Sequence, residues 1–261
     1  MSGATVTWKP EVYLNFAAYR ARPVDDLLPR LTPPDHGAIF DLGCGPGNVT
    51  AKLKARWPGR PITGVDSSPE MLEAARRAYP DGISWQLGDI AGWTPPSPAA
   101  LIFANAALHW VGDHERLFPH LAQCLAPGGV FAAQMPVGQK APYHTCLDEL
   151  AFGPRWREKL AKGHRQRAPL APSAYYDLIA PLMDEIDIWE TDYHHVLAGE
   201  DPVVAWAAGT ALRPYTSLLD EAEAAEFTAA YADALRAAYP PQPDGRTMFC
   251  MRRIFIVARA R

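Results

Sequence analysis

The chain has 261 residues, 48% of them hydrophobic, and a formal net charge of −4 at pH 7. It is long enough for one large domain with an insertion or two modest ones, and its mild acidity gives no general pull toward nucleic acid or an anionic membrane. No apolar run reaches the ~20 residues of a membrane helix. No secretory leader opens the chain, and Cys44, Cys124, Cys146 and Cys250 form no CxxC pair, so the expectation is reduced thiols and a cytoplasmic protein.

Residues 10–31, PEVYLNFAAYRARPVDDLLPRL, predict helix in two pieces, with Pro23 in the first turn of the second. AIFDLG (38–43) predicts a short buried strand, and NVTAKLKARW (48–57) a helix after a glycine-rich loop. PITGVD (61–66) is the next strand. SSPEMLEAARRAY (67–79) is the next helix, started by a capping box from Ser67 to Glu70 with Pro69 in the first turn. GISWQLGD (82–89), AALIFANA (99–106) and GGVFAAQM (128–135) predict three further strands, and residues 113–129 a helix with a glycine stop. Strands alternating with helices argue for a parallel α/β sheet covered on both faces.

The pattern changes after residue 141. From Pro142 to Pro181 the chain is rich in proline, arginine and aromatics without clean periodicity. Residues 185–197 then predict a strand, 201–209 and 221–239 helices, and 247–260 a closing strand. The expected organisation is one domain over 1–261. It comprises a helical lid over 1–32, a ligand-binding core over 33–140, a mainly helical cap over 141–182 and 197–247, and closing strands over 183–196 and 248–260.

The loop FDLGCGPGNV follows the first strand. It misses the dinucleotide fingerprint GxGxxG because Asn48 stands at the third glycine position, and it misses the phosphate loop because no Lys-Ser or Lys-Thr follows. The remaining pattern, D-x-G-x-G-x-G over Asp41, Gly43, Gly45 and Gly47, resembles the first motif of class I S-adenosylmethionine-dependent methyltransferases. The chemistry suits it. Glycines let the main chain lie against a ligand, amides near a helix start can face its carboxylate, and Asp41 with strand-end carbonyls can meet its ammonium. Asp66, about 20 residues on at the second strand end, is placed for ribose hydroxyls, a feature shared with nicotinamide enzymes. The resemblance implies that Asp89 accepts from the adenine amino group and that Ile90 supplies a backbone amide beside the ring; by itself Asp89 reads equally as a turn cap. It also sets Asn105 and Ala106 by the methionine end and His109 and Trp110 on the acceptor side. Read alone, Trp110 divides evenly between site and core, and His109 reads as a satisfied polar residue.

A longer resemblance covers Trp8 to Ala258. WKPEVYLNF, RARP, GVDSSPEML, NAALHW, QMP, GTALRPY and YPPQPDGRTMFCMRRIFIVA run in the order of the trans-aconitate 2-methyltransferase family, with LRPY and YPPxxDGR its specific parts. His109 departs from the glutamine the family tends to have there. The resemblance implies a Rossmann-like class I sheet with its last strand antiparallel, S-adenosylmethionine as cofactor with S-adenosylhomocysteine as product, and a small tricarboxylic acid as acceptor. It adds Ser67, Met71, Trp8 and Tyr13 to the cofactor side. A tricarboxylate needs fixed cations, and the arginine fork suits carboxylates, which marks Arg213 with Tyr215 nearby, Arg246, and Arg20 and Arg22. Arg252 and Arg253, within a strand, read as structural. The eight histidines show no metal spacing, so no metal is expected, nor a nucleic-acid, membrane or obligate protein partner. A methyltransferase for another small acid and a non-catalytic adenosylmethionine-binding protein are the competing expectations.

Overall fold

A computed structural model describes residues 16–138, 140–160 and 169–261; Trp8 and Tyr13 lie outside them. Helices α1 (Ala17–Leu27), α2 (Asn48–Arg56), α3 (Pro69–Ala78), α4 (His114–Gln123), α5 (Pro142–Ala151), α6 (Arg157–Leu160), α7 (Pro172–Ile179), α8 (Pro202–Ala208), α9 (Arg213–Thr216) and α10 (Glu221–Ala238) accompany seven strands. The strands are β1 (Ile39–Leu42), β2 (Ile62–Asp66), β3 (Ser84–Leu87), β4 (Ala99–Asn105), β5 (Leu125–Pro136), β6 (Met183–Leu197) and β7 (Thr247–Ala260). They form a single sheet in the order β3-β2-β1-β4-β5-β7-β6. β1 to β5 pair in parallel and β7 runs antiparallel to β5. The order reverses between β1 and β4, and the carboxyl ends of strands at such a switch point are where α/β sheets bind ligands. Asp41 sits opposite Gly64 on β2 and Phe103 on β4.

The described residues divide into two compact units. The sheet unit takes residues 18–137, 169–191 and 253–261, and the helical unit 16–17, 138, 140–160 and 192–252. The sheet unit's core runs from Phe40, Leu42 and Val65 through Phe118 and Phe131 to Tyr175 and Ile256. Its central strands are nearly all apolar because both faces are covered. In the helical unit α10 lies along α5. There Tyr231 donates to the Tyr143 carbonyl, while the Tyr239 hydroxyl accepts from the Tyr143 amide, and Trp156 meets Phe227 edge-on.

Three local readings are corrected. α1 continues through Pro23 as one helix; the helix is short and proline removes only a single backbone donor. Ser68, not Ser67, caps α3, its hydroxyl accepting from the Met71 amide and donating to Glu70. Pro69 is the first helical residue, the position proline favours, which makes its predecessor the cap. α4 stops at Gln123 and β5 begins at Leu125, before the two glycines. The stretch without periodicity, expected as part of a mainly helical cap, holds α5, α6 and α7, with Pro142 and Pro172 opening helices. Its residues 169–182 group with the sheet unit.

Candidate active site

The three glycines after β1 all have φ between +55° and +85°, a region costly for residues with a Cβ, yet each meets a different neighbour. A Cβ on Gly43 would lie 2.3 Å from the Ala107 Cβ, and one on Gly47 2.5 Å from the Trp85 ring. These two glycines serve the packing of the loop on the β4 exit and on β3. A Cβ on Gly45 would meet nothing within 4 Å among the described residues. At Gly45 the main chain faces open space, the cradle that a ligand's methionine end would fill, so the loop fits the cofactor implied by its motif.

Two carboxylates flank this loop. Asp66 accepts from the Gly45 amide at 2.8 Å and from the Ser68 amide at 2.9 Å. Partial burial raises its pKa, and the amides of Ser68, Gly45 and Ser67 pull against that rise. Asp41 is 1% exposed. Its one hydrogen bond is from the Thr50 hydroxyl at 2.6 Å. Burial pushes its carboxyl up to about 7; the Thr50 hydroxyl opposes this and the nearby Asp66 adds to it. Cys44, between them in sequence, is also buried, and desolvation with both carboxylates drives its thiol well above the usual range. Asp89, exposed at the end of β3, has one oxygen on the Ala91 amide at 3.0 Å, capping a 3₁₀ turn over Ile90–Gly92. Ile90 is buried under that turn. Ser67 is exposed and Met71 lies on the buried side of α3.

The end of β4 is held by polar side chains on β5 and β7. Asn105 faces Gln134 in the β4–β5 register and accepts from its amide nitrogen at 2.6 Å. The Gln134 side-chain oxygen in turn accepts from Arg253 on β7 at 3.3 Å. Ala106 has φ +51°, a conformation worth roughly 1–3 kcal/mol of strain, and its amide donates to the Gln134 carbonyl at 2.8 Å. A 3₁₀ turn over Leu108–Trp110 follows, with His109 buried and Trp110 half-buried. His114 braces that turn. Its Nε2 donates to the Leu108 carbonyl at 2.9 Å, which leaves Nδ1 to accept from the Tyr175 hydroxyl at 2.8 Å. Gln134, Arg253, His114, Tyr175 and Thr50 escaped the sequence reading as site residues. Gln134 left a signal, as the single polar side chain inside the apolar run of β5.

In the helical unit Arg213 opens α9 half-buried, with Nε buried and lacking a hydrogen-bond partner. Three other arginines of that unit are ion-paired: Arg155 with Glu226 at 2.9 Å, Arg236 with Asp201 at 2.7 Å, Arg252 with Asp192 at 2.7 Å. Arg246 is exposed and bound to its neighbour Asp244 at 2.7 Å. Tyr215 is buried and donates to Asp148 on α5 at 3.2 Å. One turn before Asp148, His144 is buried with no partner on Nε2. Desolvation lowers its pKa to about 4, against the field of Asp148. Arg20 and Arg22 lie on α1, half-buried and exposed. Among the described residues no cluster of three or more His, Cys, Asp or Glu could hold a metal, and no helix is long and apolar enough to cross a membrane.

Residues 39–129 match the methyltransferase domain family model. The trans-aconitate 2-methyltransferase of an Azoarcus species is 46% identical over 97% of this chain and 98% of its own. That of Methylobacterium radiotolerans is 43% identical over the same shares of the two chains. The structure of phosphoethanolamine N-methyltransferase 2 from Haemonchus contortus, with phosphomonomethylethanolamine and S-adenosylhomocysteine, superposes with a TM-score of 0.55. It is 15% identical, covering 92% of this chain and 52% of the other, which shows a shared fold.

Proposed function

Because the chain belongs to the trans-aconitate 2-methyltransferase family, we propose that it transfers the methyl group of S-adenosylmethionine to one carboxylate oxygen of trans-aconitate. The observation that carries the cofactor half is Gly45, a left-handed glycine facing open space beside Asp66. The observation that carries the acceptor half is Arg213, a half-buried cation whose buried Nε has no hydrogen-bond partner among the described residues.

When bound, S-adenosylmethionine supplies a methyl group already activated on a sulfonium. The acceptor's carboxyl, with a pKa of roughly 4, is ionised at neutral pH, so no general base is required. The protein's work is to orient one oxygen and exclude water. On this reading Asp41, Gly43, Gly45, Gly47 and Asn105 form the surroundings of the methionine end. Asp66, Ser67 and Met71 lie along the ribose, Asp89 and Ile90 at the adenine, and Trp8 and Tyr13 cover the cofactor. Arg213 holds an acceptor carboxylate through its fork, while Tyr215, tied to Asp148, fixes α9. Arg246, Arg20 and Arg22 are secondary cations, and His109 and Trp110 orient the acceptor without exchanging its proton. The reading carries with it a cytoplasmic enzyme on a free metabolite, with neither nucleic acid nor an obligate protein partner.

Methyl transfer from labelled cofactor to trans-aconitate, cis-aconitate, citrate and isocitrate tests this, with the product checked for the alkali lability of an ester. A labile product formed fastest from trans-aconitate is the expected result. Binding of the cofactor without transfer to any acid overturns it in favour of a non-catalytic binding protein. His109→Gln is expected to keep turnover; loss of turnover with acceptor still bound would make His109 more than an orienting group.

A further inference from the structure

We propose that Asp41 carries a proton in the ligand-free protein and surrenders it to solvent when the sulfonium cofactor binds, which makes Asp41 a residue that favours the cationic cofactor over the neutral-sulfur product. The proposal rests on the cofactor reading given above and adds to it a mechanism of discrimination.

The geometry carries it. Asp41 ends β1 inside the sheet unit at 1% exposure, where an isolated carboxylate is strongly disfavoured. A buried carboxylate is held ionised by several donors or by a cation, and Asp41 has neither among the described residues. Its single hydrogen bond comes from Thr50 on α2. On β2 it faces Gly64 and on β4 Phe103, both without charge. The loop after β1 brings Cys44, whose thiol is kept neutral. The remaining charged group acting on it is Asp66, which is of the same sign. Asp66 by contrast takes two amides and is the carboxylate better equipped to stay ionised. Of two like charges in one site, the less solvated and less hydrogen-bonded member holds the proton. The rise of the Asp41 carboxyl to about 7 agrees with this order.

The cofactor carries a positive sulfur that its demethylated product lacks. A cation brought to the glycine loop favours ionised Asp41, so the carboxyl proton leaves to the buffer and the charge pair forms in a dry site. The thioether product keeps the ammonium but lacks the sulfonium charge, so its drive on Asp41 is weaker. After methyl transfer one positive charge is gone, ionised Asp41 is favoured less, and the product loses the sulfonium part of the interaction.

Calorimetric titration of the protein with S-adenosylmethionine at pH 7, in phosphate and in Tris, reads the protons exchanged from the dependence of heat on buffer ionisation. About half a proton should be released from Asp41, since a group titrating near 7 is half protonated there. S-adenosylhomocysteine should release clearly less. Asp41→Asn should remove the Asp41 part, leaving any exchange from the ligand's own amino group, which both proteins share, and should narrow the preference for cofactor over product. Thr50→Val, which removes the hydroxyl that favours the ionised form, should move the release toward a full proton. Tight binding with the same proton exchange in wild type and both variants overturns the proposal and leaves the cofactor reading standing. No binding of S-adenosylmethionine to the wild-type protein overturns both.

Discussion

The sheet unit and the helical unit each hold an ionisable group with no partner of opposite charge among the described residues, an acid in one and a base in the other. At the end of β1 and β2 the sheet unit places Asp41 and Asp66 close together with no cation acting on Asp41. In the helical unit Arg213 has no anion among the described residues, although Arg155, Arg236, Arg246 and Arg252 are each bound to one. Paired charges of that kind are ordinary surface structure and worth little individually. Unpaired, partly buried charges are expensive, and a protein keeps them where a ligand completes the pair. A negative centre suits a sulfonium cofactor and a positive one a carboxylate acceptor, so the contrast separates the site from the scaffold without reference to any motif.

The largest expected effect concerns Asp41. Its folded-state pKa of about 7 lies above the ordinary 3.8, so between those values the folded protein binds more protons than the unfolded chain. Stability therefore falls as pH rises through that window, by up to about 4 kcal/mol at its upper end. Denaturant unfolding of wild type and Asp41→Asn at pH 5 and pH 8 should show the variant gaining on the wild type at pH 8 and losing most of that advantage at pH 5. An equal difference at both pH values would mean that Asp41 is ionised in the folded protein and would remove half of the comparison.

His144 in the helical unit should slope the other way. Its folded pKa is about 4 against 6.5, so between those values the unfolded chain holds more protons and stability is lost as pH falls from 6.5 toward 4. The loss reaches about 3 kcal/mol at the acid end. His144→Gln should flatten the acid side of the stability profile while Asp41→Asn flattens the neutral side. If the two variants altered the same limb, the assignment of each slope to its own unit would fail.

Next comes Arg213. A charged hydrogen bond to a ligand carboxylate is worth roughly 1.5–3 kcal/mol, so Arg213→Ala should raise KM for the acceptor by ~10 to 100-fold while cofactor affinity stays put. Arg213→Lys should recover part of the loss. Arg246→Ala, whose guanidinium already has Asp244, should change KM by no more than about threefold. Equal losses at both positions would show that a pre-existing partner does not mark an arginine as scaffold.

What the sequence made legible follows from how local each signal is. The strand–loop–helix around Asp41 and the acid at Asp66 are read from consecutive residues, and alternating apolar and amphipathic runs are enough for the sheet and its order class. Thr50 was not legible, because a hydroxyl nine residues after an aspartate is common and only the fold brings the two within 2.6 Å. The brace of His114 on the Leu108 carbonyl and Tyr175 joins residues 61 positions apart and has no local trace. Ser67 and Ser68 are equally good caps by composition; Pro69 decides between them, a rule available from sequence alone. The bounds of the helices that Pro142 and Pro172 open were not legible, because proline both opens helices and breaks them and the stretch has no clean period.

The smallest effect tests the glycine loop. Gly43 and Gly45 share a left-handed backbone, at φ +73° and +55°, so an alanine at either costs about 1 kcal/mol from strain alone. They differ in what the new methyl meets. At Gly43 it lands 2.3 Å from the Ala107 Cβ, and because Ala107 follows the strained Ala106 on a tightly held turn, relief must come from moving that turn. Gly43→Ala should therefore lower thermal stability beyond the strain term and disturb cofactor binding only as a consequence. At Gly45 the methyl enters empty space, so Gly45→Ala should fold with a loss near the strain term and yet weaken S-adenosylmethionine binding at least tenfold, about 1.4 kcal/mol, since the methyl occupies the volume the ligand needs. Thermal melts with and without cofactor separate the two outcomes: the melting temperature of Gly45→Ala should respond far less to added cofactor than that of the wild type. A full cofactor-induced shift in Gly45→Ala would place the ligand elsewhere on the strand ends, and the uncompensated carboxylates beside the loop would need another reason for being there.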